Sequence, residues 1–301
     1  MARLNNPILM AALKVYPPEL AAKVVKSFDV VGDIAVIKVP PSPGLMEGRF
    51  KLAERLLEEL GRVRVVLRQA SPHEGDYRLR RLEWLAGEPR TLTTHNEHGC
   101  SFKVDLAKVY FTPRLSYERL RVAKLAREGE VAFNMFAGVG CFSIMLAKLK
   151  RVEVVSVDLN LDAARLMAEN VKINKVHSLV HVIHGDSRLL GSAGEGGWAD
   201  RVLMPLPLKS LDFLDAAVHA AKLGGVIHFY GEHRGLKAEA VEGVWLRVER
   251  KAKEMGVKLR LLSGRVVREV APRTFQVALD LAIEEKPGGR CAQAAPKKQA
   301  A

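Results

Sequence analysis

Two glycines, Gly138 and Gly140, close the apolar run Val131-Ala-Phe-Asn-Met-Phe-Ala-Gly-Val-Gly140 and hand the chain to Cys141-Phe-Ser143. A second apolar run, Val152 to Val157, ends in Asp158. A third, Leu179 to Ile183, is followed by Gly185-Asp186-Ser187. Strand, glycine turn, helix, strand, acid is the order of a nucleoside site at the carboxyl edge of a parallel sheet. The glycines admit a ligand close to the backbone, and an acid at the next strand tip takes ribose hydroxyls. Asp186, after the third run, would place a carboxylate near an adenine amino group.

The turn itself, Ala-Gly-Val-Gly-Cys-Phe, is not the G-x-G-x-x-G of a pyrophosphate site. It carries no basic residue and no P-loop Lys-Ser/Thr, and bulky Phe136 and Phe142 flank it. It suits a nucleoside without phosphates, and S-adenosylmethionine is the cofactor this points to. The candidate contacts are Phe136, Ala137, Gly138, Gly140, Asp158, Leu159, Asp186 and Ser187. Two local alternatives stay open: Asp158 as the N-cap of a helix beginning near Leu161, and Asp186 as a turn residue.

These residues need a scaffold, and the chain reads as alternating strand and helix from Val131 onward. The runs are Val152–Val157, Leu161–Asn174, Leu179–Ile183, Arg201–Met204, Leu211–Lys222 and Val226–Tyr230, which predict a doubly wound sheet. Lys237 to Met255 predicts a late helix, and Val257–Leu262 with Thr274–Ala282 an antiparallel pair closing the sheet. Upstream, Phe28 to Val39 reads as a hairpin around Gly32-Asp33, and Phe50 to Leu60 as a helix stopped by Gly61. Val63–Leu67, Arg80–Ala86, Thr91–His95 and Ser101–Asp105 continue a strand-rich stretch, and Tyr117–Arg127 a bridging helix. Residues 1–26 read as a helical lead-in broken at Pro17-Pro18, and the tail from Lys286 as disordered.

The 301 residues carry a net charge of +13, which points to a polyanionic partner or to a heat-stable chain kept soluble by charge. Cys100, Cys141 and Cys291 are too scattered for a disulfide framework or a zinc site. His95, Glu97 and His98 have metal-ligand chemistry but no further ligand group at convincing spacing, so a structural turn and no metal are expected. No apolar run approaches a membrane span and Met1-Ala-Arg-Leu-Asn-Asn is no secretory leader. The chain is read as soluble, cytoplasmic and monomeric.

His95-Asn-Glu-His-Gly-Cys-Ser-Phe-Lys-Val-Asp105, Lys108-Val-Tyr-Phe-Thr-Pro-Arg-Leu-Ser-Tyr-Glu-Arg119 and Phe136-Ala-Gly-Val-Gly140 together resemble the archaeal and eukaryotic tRNA guanine-N1-methyltransferases. These act on the guanosine immediately 3′ of the anticodon. The resemblance spans residues 27–283. It implies an α/β class I Rossmann-like methyltransferase domain with a mixed, mainly parallel sheet (113–285), preceded by a small α+β domain (27–112). The 1–26 lead-in and the 286–301 tail flank them.

In Pro-Arg-Leu-x-x-Glu-Arg, the resemblance makes Glu118 the catalytic base that removes the N1 proton, and the family's O6-binding arginine maps best to Arg78. Arg80 and Arg81 remain alternatives, and any of the three could contact phosphate. It further implies Tyr110 and Arg119 beside the cofactor, Arg114, Pro205 and Pro207 on the substrate side, and the tRNA anticodon loop as partner. Tyr110 reads equally as a core residue, and Glu118, without the motif, as an exposed helix carboxylate paired with an arginine.

The chain departs from the family in three places. Pro205, in Arg201-Val-Leu-Met-Pro-Leu-Pro-Leu208, stands where an Asn contacts the base, which resembles the archaeal subgroup that also methylates C7 of the tricyclic wyosine intermediate. Asn134 stands where Asp is common. Only the lead-in precedes the Phe28 hairpin, so the core and its basic surface are expected to supply more of the tRNA affinity. The other readings are an aminocarboxypropyl transferase of the same fold and a catalytically silent tRNA-binding module.

Overall fold

The computed structural model describes residues 6–191 and 197–287. Residues 288–301, most of the tail expected to be disordered and including Cys291, lie outside the described residues. The chain divides into two units, Met1–Ala123 with Gly138–Lys148 and Leu159–Ser178, and Lys124–Ala137 with Leu149–Asp158 and Leu179–Ala301.

The first unit begins with α1 (Pro7–Leu13), capped by Asn6, and α2 (Pro18–Ala21), which starts at the Pro17-Pro18 break. Strands β1 (Asp29–Val31) and β2 (Ile34–Ile37) form the expected hairpin, with Val31 opposite Ile34. Gly32 in its turn has φ +56°, and a Cβ there would overlap the Thr93 hydroxyl and the Thr94 carbonyl. Helices α3 (Pro43–Glu47) and α4 (Arg49–Leu60) follow, the second stopping at Gly61 in the left-handed region, φ +43°. Strand β3 (Val65–Gln69) lies parallel to β2, and β4 (Leu82–Gly87) antiparallel to β3, giving the order β1-β2-β3-β4. Ile8, Ala12, Ile37, Leu45, Leu52, Leu56 and Val66 are buried in one core, so the lead-in is packed as part of this module.

Strands β5 (Leu92–Glu97) and β6 (Cys100–Asp105) pair as a separate two-stranded hairpin. His98 and Gly99 make its turn, with φ +48° and +76°, the double left-handed geometry of a tight hairpin. Three helices complete the unit: α5 (Ser116–Leu125), most of α6 (Cys141–Lys150) and α7 (Leu161–Ile173).

The second unit holds a seven-stranded sheet: β7 (Val131–Asn134), β8 (Glu153–Asp158), β9 (Val180–His184), β10 (Ala199–Met204), β11 (Ala221–Arg234), β12 (Lys258–Ala271) and β13 (Thr274–Glu285). The order is β12-β13-β11-β10-β7-β8-β9. The five strands from β9 to β11 are parallel, and β13 runs antiparallel to both β11 and β12. This is the mixed, mainly parallel Rossmann-like α/β sheet predicted from the sequence. The strand order reverses at β7, between β8 and β10, and ligands of such sheets bind beyond the carboxyl ends there. Helices α8 (Ser187–Gly191), α9 (Leu214–Ala220) and α10 (Ala240–Glu254) belong to this unit, whose core is centred on Phe133, Val202, Met204, Ile227, Val277 and Leu279.

The structure differs from the sequence reading at two strand boundaries. The helix expected through Lys222 ends at Ala220, because Ala221 already pairs with Ala199 in β10. Strands β11 and β12 are far longer than their apolar stretches, since both pair with β13 along its length. A buried polar chain crosses this sheet: Arg201 bonds Glu130 (2.9 and 3.1 Å) and His228 Nε2 (2.5 Å), and His228 Nδ1 lies 2.6 Å from Asp280. No helix among the described residues is long and apolar enough to cross a membrane.

Candidate functional site

The strand tips of the second unit carry one group of candidates. Past β7 the backbone runs on in register, with the Met135 N–H on the Leu203 carbonyl (3.1 Å) and the Ala137 N–H on that of Val157 (2.9 Å). Asn134 and Met135 are buried, and Phe136 meets Phe213 edge-on at 4.9 Å. Asp158 ends β8, half-buried, and its carbonyl accepts the Gly185 N–H (3.0 Å), joining the tips of β8 and β9. The N-cap of α7 is Asn160, whose side chain accepts from Asp162 N at 3.0 Å, so the cap falls two residues beyond Asp158. Leu159 is exposed.

Asp186 accepts both the backbone N–H of Arg188 (2.9 Å) and its guanidinium (2.5 Å), and the side-chain bond from Arg188 is the main reason its carboxyl lies below the usual range. The Arg188 guanidinium also sits 4.9 Å over the Phe213 ring. Asp186 and Phe136 are therefore linked through Arg188 and Phe213. The Ser187 hydroxyl oxygen is buried and has no hydrogen-bond partner among the described residues, and a Cβ on Gly185 would meet nothing within 4 Å. A buried polar atom without a partner beside open space fits a polar ligand such as an adenosyl group.

Beyond β10, Met204-Pro205-Leu206-Pro207 forms a tight turn closed by Ser210, whose hydroxyl donates to the carbonyls of Met204 and Leu206, both at 2.9 Å. Pro205 and Pro207 are half-buried and supply no N–H.

The first unit carries the glycine turn's far side and the substrate-side candidates. Gly138 and Gly140 have φ +55° and +91°, and a Cβ on Gly140 would press on Met167 at 2.8 Å, while one on Gly138 would stand in open space. Glu118 is buried in the first turn of α5, with the Arg121 guanidinium on its carboxylate at 2.6 Å. Arg119, expected beside the cofactor, directs its Nε and Nη2 to Glu97 at 2.5 and 2.8 Å, and Nη2 also to the Thr112 carbonyl. Burial alone would raise the Glu97 carboxyl, but hydrogen bonds from His95 and Arg119 outweigh it and hold it at about 2. Arg114 is exposed and pairs with Asp29 at 2.6 Å.

Arg78 is brought to Tyr110, its guanidinium 5.0 Å from the ring centroid, and His73 meets the same ring edge-on. Arg78 is one of five non-glycine residues with positive φ among the described residues, at +52°. Of its alternatives, Arg80 donates to Gln69 at 3.2 Å and is lowered chiefly by burial, and Arg81 is exposed. Among the described residues no group of three or more His, Cys, Asp or Glu could hold a metal ion. His98 lies in the hairpin turn, 2.9 Å from the Ser116 hydroxyl.

Two features were left open by the sequence: which arginine pairs with Glu118, and the role of two asparagines. Arg121 stands three residues after Glu118, a helical spacing that signals the pair. Asn170 and Asn174 are polar residues in the apolar phase of α7, and both prove to be buried.

The TRM5/TYW2 methyltransferase domain model matches residues 93–260, and the TYW2 N-terminal domain model residues 9–91. The chain belongs to the TRM5/TYW2 methyltransferase family. The tRNA (guanine(37)-N(1))-methyltransferase Trm5b of Pyrococcus abyssi is 42% identical over 268 residues, 89% of this chain and 78% of that protein. The tRNA 4-demethylwyosine(37)-methyltransferase Taw21 of Saccharolobus solfataricus is 35% identical over 85% of this chain and 93% of its own length. Among solved structures, the complex of aTrm5 and tRNALeu superposes with TM-score 0.76 and 34% identity, covering 89% of this chain and 75% of that one. Within the TRM5/TYW2 family, then, the β7–β10 strand tips and the Glu118 segment fall inside the matched methyltransferase domain.

Proposed function

We propose that this protein is an S-adenosylmethionine-dependent tRNA methyltransferase acting on N1 of guanosine 37. The observation that carries the assignment is Glu118: a buried carboxylate held by Arg121, in the Pro-Arg-Leu-x-x-Glu-Arg segment of a family member. S-adenosylmethionine supplies an electrophilic methyl group on a sulfonium. Phe136, Asp158, Asp186 and Ser187 would hold it, and Gly185, where a Cβ would meet nothing within 4 Å, would leave it room.

Neutral guanine carries a proton on N1. Glu118 accepts that proton as the N1–methyl bond forms, and Arg78 donates to O6, where charge gathers as N1 is deprotonated. Tyr110, whose ring lies beneath the Arg78 guanidinium, orients the donor. Incubating unmodified tRNA with enzyme and S-adenosylmethionine, followed by nucleoside mass spectrometry, should give 1-methylguanosine. No methyl incorporation into any tRNA overturns the assignment.

A second activity, methylation of C7 of the tricyclic wyosine intermediate, is favoured by the Pro205-Leu206-Pro207 turn, which offers an apolar wall where relatives carry an amide. The likeness to Taw21 supports it. The same assay on tRNA carrying the tricyclic precursor tests it. Label in the methyl group rather than in the amino-acid part of the cofactor separates methyl from aminocarboxypropyl transfer.

A further inference from the structure

The first unit contains a groove of about 740 Å³ that none of these assignments uses. One wall is the outward side of the β5–β6 hairpin. Alternation along β5 buries Thr93 and Glu97 and leaves Leu92, Thr94 and Asn96 exposed, and the strand register sets Lys103 opposite Thr94. The other wall is the β1–β2 turn, fastened to β5 by the Gly32 N–H on His95 Nδ1 (3.2 Å) and by the Thr93 hydroxyl on Asp33 (2.7 Å).

The charge of this groove is one-sided. Its acid, Asp33, is neutralised by a two-point contact from Arg90, which is the main reason its carboxyl lies low. Arg62 lines the groove and is exposed, with no acidic partner among the described residues. The Arg64 N–H is on the Asp33 carbonyl at 2.8 Å, which ties the chain beside Arg62 to the β1–β2 turn. Lys103 is shared with Glu169 at 2.9 Å, but both side chains are about half-exposed, and such a pair yields readily to another anion. Arg62, Arg90 and Lys103 thus line the groove, together with the hydroxyls of Thr93 and Thr94, the Asn96 amide and two apolar side chains, Val30 and Leu92.

A small phosphorylated ligand needs converging donors in an enclosed pocket. Here the cations are strung along an open groove, alternating with groups that suit a ribose: Thr94 and Asn96 for a 2′-hydroxyl, Leu92 for the sugar carbons. That is the pattern of sequence-independent contact with a sugar–phosphate chain. We infer that this groove carries the RNA backbone of the substrate, through residues other than those assigned to the reacting base. The inference rests on the tRNA assignment made above.

The test is charge reversal at two groove residues outside the catalytic set, Arg62→Glu and Lys103→Glu, singly and together. Binding of unmodified tRNA is followed by fluorescence anisotropy across a salt series, alongside methylation kinetics. The double variant should weaken tRNA binding by about tenfold or more and flatten the log–log salt slope by about 1–2, with kcat at saturating tRNA unchanged. The milder pair Arg62→Ala and Lys103→Ala, with the wild-type melting temperature, should show a smaller loss of the same kind and excludes misfolding. Unchanged affinity and slope in a folded double variant overturn the inference. So does inorganic phosphate that binds the wild type through these two residues while leaving tRNA affinity indifferent to them. A wild-type enzyme that neither binds nor methylates tRNA overturns the functional assignment instead.

Discussion

Asn170 on α7 and Asn174, the C-cap of that helix one turn on, bond the open edge of β6 together. The Lys103 N–H donates to Asn170 Oδ1 (2.7 Å) and the Asn170 amide returns a bond to the Lys103 carbonyl (3.1 Å). Two residues away, Ser101 exchanges the same two bonds with Asn174, at 3.0 and 2.6 Å. The helical repeat of four and the strand repeat of two bring alternate strand residues opposite successive helix turns, so two side-chain amides stand in for a neighbouring strand. Asn170 also donates to the Val139 carbonyl at 3.0 Å, inside the glycine turn.

Asn170 is therefore expected to couple stability to cofactor binding. Asn170→Ala leaves three backbone groups unmet, the Val139 carbonyl buried and the two of Lys103 part-buried, and should cost about 2–4 kcal/mol, measured by urea denaturation. Asn170→Asp keeps the acceptor for Lys103 but loses both donated bonds, and should weaken S-adenosylmethionine binding through the Val139 turn. An alanine variant that unfolds at the wild-type urea concentration would show that the amide is not structural.

Glu97 and Arg119 make a second buried tie, between the β5–β6 hairpin and the helix that carries Glu118. The Glu97 carboxyl is held at about 2, below its ordinary 4.5, so the folded state binds fewer protons than the unfolded state between these values. The resulting stabilisation, on the order of 3 kcal/mol, is complete above about pH 4.5 and is lost as pH falls toward 2. Glu97→Gln should remove that part of the acid transition. It should also cost about 3–5 kcal/mol at neutral pH, because Arg119 keeps its charge in a buried place. Stability measured against pH for both proteins checks this, and parallel acid limbs would contradict it.

This tie also shows what the sequence can and cannot reveal. The strand tips at Asn134, Asp158 and His184 were legible because each apolar run ends in glycine or acid, a local signal. The Gly32-Asp33 hairpin was legible for the same reason. The Arg119–Glu97 pair was not, since its members lie 22 residues apart on a helix and a strand, and no periodicity connects them. Reading Arg119 beside the cofactor came from the motif alone. The lengths of β11 and β12 were hidden as well: Glu232, Arg234, Arg265 and Arg268 break the apolar pattern, and the strands continue only because their partner does.

For Glu118 the expected outcome is kinetic. Glu118→Gln keeps size and shape but cannot take up the N1 proton, so kcat should fall by about 10²–10⁴ with KM for tRNA nearly unchanged. Arg121→Ala should lower kcat by less, about tenfold, since it removes a group that holds the base and not the base itself. The double variant Glu118→Gln/Arg121→Ala should be no slower than Glu118→Gln alone. Independent, multiplying losses would mean that Arg121 acts elsewhere.

The Pro205 turn is expected to decide between bases. Ser210 fixes it through the Met204 and Leu206 carbonyls, so a substitution at Pro205 changes the side chain presented while two anchoring bonds remain. Pro205→Asn adds an amide able to bond a guanine edge, and it narrows the apolar wall that a larger tricyclic base would lie against. One such hydrogen bond is worth about 1 kcal/mol, so the ratio of kcat/KM for guanosine over the tricyclic precursor should rise about tenfold once crowding of the larger base is included. Competition between the two tRNAs, scored by nucleoside mass spectrometry, measures that ratio directly. If it stays at the wild-type value in a folded Pro205→Asn enzyme, the turn does not face the base, and base choice must be set by other residues.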